Sequence, residues 1–198
     1  MRATVLTVTL LAAVAGCGSS GHAEVAPPAA TPSPTTSPSP SAAAVDFLAA
    51  GDLPQGDRYG TWKRGEVIEG LGDPPYFCLM EALPADHTTM RTYSSDKDAE
   101  ARQFLVRSAD AALETEVRGA VADCATRYAR KFPTDKASAK DFGGGISGVF
   151  FAPKDSEYSM QLYAVKRTGD VLTVLVLGQG GRAAEAPVDA FRASAAKL

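Results

Sequence analysis

Residues 1–17 constrain this chain more than any other stretch, because they decide where the remainder folds. Arg2 precedes a largely apolar run from Ala3 to Ala15, closed by the small residues Ala15 and Gly16 and by Cys17. One positive charge and a short apolar segment have the layout of an export signal, and the segment is too short to persist as a membrane-spanning helix. The expectation is a signal peptide over residues 1–16 that is removed. The rest of the chain then folds outside the cytoplasm, where cysteines pair.

The order Val14-Ala15-Gly16-Cys17, a branched apolar residue, two small residues and a cysteine, resembles the bacterial lipobox. That resemblance implies a diacylglyceryl group on the Cys17 sulfur and cleavage just before it. Two acyl chains, at ~0.8 kcal/mol per buried methylene, make a stable anchor where one chain is marginal. The implied location is the extracytoplasmic face of the cell membrane. After Cys17 the residues to Ala44 are mainly Gly, Ser, Ala, Thr and Pro, including Pro27-Pro28 and Thr31-Pro32-Ser33-Pro34. Such a stretch has too little to bury to offset the entropy of ordering, so residues 17–45 read as lipidated cysteine plus an unstructured, partly polyproline II spacer. Extended at ~3.1 Å per residue, the spacer reaches up to ~80 Å.

Removal of residues 1–16 takes away Arg2 and no acid, so the formal charge of -3 becomes -4. A mildly acidic chain has no electrostatic basis for nucleic acid or anionic headgroups. About 150 residues remain, enough for one domain that buries roughly two-thirds of its unfolded surface. Of the three cysteines, lipidation of Cys17 leaves Cys78 and Cys124 to pair in an oxidising compartment. Two buried free thiols or a metal site are the alternatives, although a structural zinc needs four ligands and the domain adds only His87 to the two cysteines.

The strongest local pattern runs from Asp110 to Lys131. Leu113, Val117, Ala120, Val121, Cys124 and Tyr128 recur at spacings of three and four, and Asp110 stands where it caps a first turn. This predicts one long helix whose apolar face carries Cys124, stapled to a short helix over Tyr76–Leu83 that carries Cys78. Strands are expected over Tyr59–Ile68, Thr88–Ser95, Arg102–Ser108, Ile146–Ala152, Tyr158–Lys166 and Val171–Leu177. The last is apolar on both faces apart from Thr173, which marks a central strand, and Gly169-Asp170 is a hairpin signal. Thr134–Gly145 reads as a polar, Gly-rich connection. Pro187 opens a closing helix with Val188, Phe191 and Ala195 inward. The resulting fold class is α+β: an antiparallel sheet packed with one long helix and a C-terminal helix, in a single disulfide-stapled domain.

Motifs that carry chemistry fail on context. Gly143–Gly148 fits GxGxxG but precedes a strand, and Gly178–Ala183 fits GxGxxA but has too little chain after it for a nucleotide fold, so no cofactor is expected. His87 beside Asp86 is the one domain histidine, with no GxSxG to supply a nucleophile. Asp96 with Asp98, or Glu66 with Glu69, read as surface acids as readily as paired carboxylates. No catalytic residue and no metal site are expected.

Asp52-Leu53-Pro54, Gly60-Thr61-Trp62, Cys78, Arg91-Thr92-Tyr93, Phe104, the helix through Cys124 and Arg167-Thr168-Gly169-Asp170-Val171 together resemble the PknH-like extracellular sensor domain family over residues 46–198. The resemblance implies an α+β fold with an antiparallel sheet and, in kinase-linked members, a cleft for an unidentified ligand. Those members have two disulfides, a transmembrane segment and a kinase, whereas this sequence offers one cysteine pair and neither of the others. The expectation is a noncatalytic, lipid-anchored domain that binds a small molecule, lipid or envelope component. Trp62 and Tyr93 would supply apolar contact and Arg91 would orient a polar group. A structural lipoprotein docking on another envelope protein is the alternative from another class, and a hydrolase the third.

Overall fold

The computed structural model describes residues 45–198. The expected signal peptide, the lipidated Cys17 and the spacer as far as residue 44 lie outside the described residues. Seven strands form one sheet: β1 (Trp62–Glu69), β2 (Thr88–Ser95), β3 (Glu100–Arg107), β4 (Lys136–Gly143), β5 (Ile146–Ala152), β6 (Ser159–Thr168) and β7 (Val171–Gly180). Their order is β1-β2-β3-β7-β6-β5-β4, and every neighbouring pair is antiparallel.

β7 sits in the middle because it is the strand with apolar residues for both faces. Leu172, Val174 and Val176 enter one layer of the core, while Leu175 and Leu177 enter the other. A strand of that kind is stable only where both faces are covered. On the first face lie α1 (Ala112–Ala122), α2 (Cys124–Lys131) and the Cys78 segment; Leu113, Val117, Val121 and Cys124 bury the helical stripe against Phe104, Val149 and Val174. On the second face lie the segment from Leu48 to Tyr59 and α3 (Val188–Ala195), whose Phe191 is fully enclosed.

The expected long helix is interrupted at Asp123. Its start is as expected, with Asp110 Oδ1 accepting the Ala112 N–H at 2.8 Å. At the interruption the Arg127 guanidinium reaches back to the Ala120 carbonyl at 3.1 Å and across to the Cys78 carbonyl at 3.0 Å. A side chain that takes a carbonyl from the helical ladder is a recognised cause of such a break. Cys78 and Cys124 are joined, with sulfurs 2.04 Å apart and a sequence separation of 46. The Tyr76–Leu83 segment forms a series of turns instead of a helix, through bonds such as Leu79 N–H to Tyr76 O and Leu83 N–H to Leu79 O. The connection read as polar and Gly-rich contains β4; Gly143, Gly144 and Gly145 all have positive φ and make the tight turn into β5.

One buried polar side chain fixes the N-terminal segment. Gln103 on β3 is fully enclosed; its Oε1 accepts the Leu48 N–H at 2.7 Å and its Nε2 donates to Asp46 O at 3.2 Å. The Tyr93 hydroxyl donates to Leu48 O at 2.9 Å beside it. Gln103→Leu keeps the volume but strands the buried Leu48 N–H, worth ~1–3 kcal/mol when unpaired, and gives up the bond to the Asp46 carbonyl. The expected loss in urea unfolding is about 2–3 kcal/mol, and a loss below ~0.5 kcal/mol would show that the segment is held by its apolar contacts alone.

Candidate functional site

The positions expected to bind a ligand are closed. Trp62 is 5 % exposed, stacks on Tyr59 at 5.7 Å and donates its indole N–H to Pro54 O at 2.7 Å. Tyr93 has no exposed surface, and burial pushes its hydroxyl up to about 12. Arg91, on the same face, lies with its guanidinium carbon 5.1 Å from the Phe47 ring centre. The reason is the Leu48–Tyr59 segment, which folds back over β1–β3 and fills the space the three side chains were expected to border. Trp62 and Tyr93 therefore belong to the core, and Arg91 to its margin.

A different cleft opens at the corner of the sheet where β4 begins, β5 ends and β6 begins. It is half open, has a volume of about 420 Å³, and is lined by Lys136, Ala137 and Ser138 of β4, Phe150, Phe151 and Ala152 of β5, Tyr158, and Gly181, Arg182 and Ala183. This is within the usual range of small-molecule sites, which are mostly apolar with a few placed polar groups.

Local sequence sets each wall. Gly148 lets the Phe150 ring lie across the strand: a Cβ there would stand 2.8 Å from the Phe142 ring and 2.9 Å from the Phe150 ring. Those two rings pack edge to face at 6.3 Å. Behind the cleft, Phe151 packs on Tyr128 of α2 at 4.7 Å, so the disulfide-bearing helix backs one wall. The opposite wall is a close turn, with the Gly181 N–H donating to Tyr158 O at 2.9 Å. Gly181 has φ 133°, and a Cβ would meet Met160 at 2.9 Å. The Arg182 guanidinium lies 4.7 Å from the centre of the Tyr158 ring, a cation–π contact worth ~0.5–1 kcal/mol at an exposed site.

None of the residues lining the cleft is an acid, a histidine or a cysteine. The acids that could be drawn as carboxylate pairs do not line this cleft. Asp96 accepts the Thr61 N–H at 3.2 Å and pairs with Lys63 at 3.5 Å; the Thr61 bond is the main reason its carboxyl is held below the usual range. Asp98 occupies the β2–β3 turn with φ 57°, and Glu66 and Glu69 lie exposed on edge strand β1. His87 pairs with Asp86 at 3.5 Å in the open. Among the described residues there is no cluster of three or more side chains able to hold a metal.

Sequence reading missed this cleft because β4 carries little of a strand's pattern: Ala137 and Ala139 alternate with polar residues but bury little. Arg182 was visible only inside a false nucleotide motif. In the fold, Gly178–Gly180 of that motif complete β7 and a single 3-10 turn, Ala183–Glu185, follows, so no helix N-terminus faces the glycines. No protein family, curated protein or solved structure matches the chain.

Proposed function

We propose that this chain is a lipid-anchored extracytoplasmic binding domain, noncatalytic and sensor-like, that holds a small molecule, lipid or cell-envelope component in the cleft between β4, Phe150 and Arg182. One observation carries the reading: a half-open cleft of about 420 Å³ whose lining is apolar except for Ser138, the Tyr158 hydroxyl, Lys136 and Arg182. Two features support it. Ser138, the aliphatic hydroxyl that lines the cleft, makes no hydrogen bond to a basic side chain among the described residues, the contact by which a serine nucleophile is activated. The lipobox-like start and the Pro-rich spacer suit a domain that meets its ligand within the envelope. The resemblance to the PknH-like sensor domains agrees with this reading in fold class and in the idea of a cleft.

The neutral dye Nile red tests it. The purified domain is expected to bind the dye at one site with a rise in emission. Ser138→Trp, at an exposed position on the cleft rim, is expected to weaken binding at least tenfold while leaving the melting temperature within ~2 °C. Equal binding by this variant would overturn the placement of the site. Chemical alteration of envelope lipids on incubation with the domain would overturn the noncatalytic half.

A further inference from the structure

We infer that the ligand class of the cleft is a single-chain anionic amphiphile, its tail on Phe150 and its carboxylate or phosphate head between Lys136 and Arg182; this rests on the reading of the cleft as a ligand site. The charged groups that line the cleft are Lys136 and Arg182, and both are cationic. Neither side chain has a carboxylate partner among the described residues. The acids nearest to them in sequence bind other groups than the two cationic heads, although the Glu185 carboxylate stands close to the cleft wall, 3.2 Å from where a Cβ on Gly181 would be. Asp135 accepts the Tyr128 hydroxyl at 3.0 Å and the Lys154 N–H at 3.3 Å, and Glu185 accepts the Arg182 backbone N–H at 3.4 Å. Unlike these cations, Arg102, Arg118 and Arg127 are each paired with a glutamate.

Arg182 is also positioned before any ligand arrives. Its cation–π contact with the Tyr158 ring limits where the guanidinium sits, which reduces the side-chain entropy lost when its fork takes up a carboxylate or phosphate. The apolar floor and the cationic rim together match a molecule with one greasy end and one anionic end. A neutral ligand of the same tail would fill the floor but leave both cations as they are. A cationic one would be repelled at the rim.

Titration calorimetry with decanoate, decyl phosphate, decyl maltoside and decyltrimethylammonium, each below its micellar concentration, tests this on the purified domain. The two anionic probes are expected to bind about tenfold more tightly than the maltoside. The cationic probe is expected to bind most weakly. The anionic preference should shrink between 50 mM and 500 mM salt as screening increases. Arg182→Gln and Lys136→Gln should each bring the ratio of decanoate to maltoside affinity toward one. Equal affinity for all four probes would overturn the head-group assignment and leave the cleft as a neutral apolar site. If no probe binds and Nile red fails as well, the cleft is not a ligand site and both readings fall.

Discussion

The double variant Cys78→Ala/Cys124→Ala is expected to lose about 4 kcal/mol of unfolding free energy. The bridge closes a loop with a sequence separation of 46, and closing a loop of that length removes unfolded-chain entropy equivalent to ~4 kcal/mol at 25 °C. The native contacts point the same way. Both cysteines are fully buried beside Leu79, Val117 and Val121, so truncation also leaves small voids in the helix-facing layer. At roughly 2–4 °C per kcal/mol for a domain of this size, the melting temperature should fall by about 10 °C. Matched calorimetric scans of the two proteins would measure it. A fall under ~3 °C would mean that the unfolded chain already keeps these segments close, leaving the bridge little entropy to remove. Because neither cysteine has exposed surface, reductant added to the native wild type should act only as fast as the chain opens.

The elements that could be read from sequence are those whose patterns are strong enough to survive without neighbours. Val171–Leu177 is apolar on both faces, and only a strand covered on both sides accommodates that, so the centre of the sheet was legible. The stripe from Leu113 to Tyr128 gave the helical layer and placed Cys124 on its buried face. The edges were not legible. β4 has alanines where a strand would show larger apolar residues, and it is held as a strand by its pairing with β5 and by the three-glycine turn between them. The binding position failed for a related reason. Trp62, Arg91 and Tyr93 are residue types that line clefts, but a fully buried Gln103 draws the preceding segment over them, and no local signal announces a glutamine that pins a segment some 55 residues away. The cleft itself is assembled from four separate stretches around Lys136, Phe150, Tyr158 and Arg182. Each is ordinary alone, and only strand order brings them together.

Cys17→Ala is expected to release the protein from membranes or to leave its precursor unprocessed. A single acyl chain gives marginal, reversible binding, whereas a second chain burying about ten methylenes at ~0.8 kcal/mol each raises the partition by roughly 10^5 to 10^6-fold. Among the described residues no helix is long and apolar enough to cross a membrane. The formal charge is negative at -3, so the net charge supplies no long-range attraction to an anionic membrane surface. Membrane fractionation with intact-mass measurement separates the outcomes. The variant should lack the diacylglyceryl mass, and a version carrying an ordinary cleavable export signal in place of residues 1–17 should appear wholly in the soluble exported fraction. Unchanged fractionation together with unchanged mass would remove the anchor. The cleft would then have to meet its amphiphile from solution, and the long Pro-rich spacer would lose its reason as a tether.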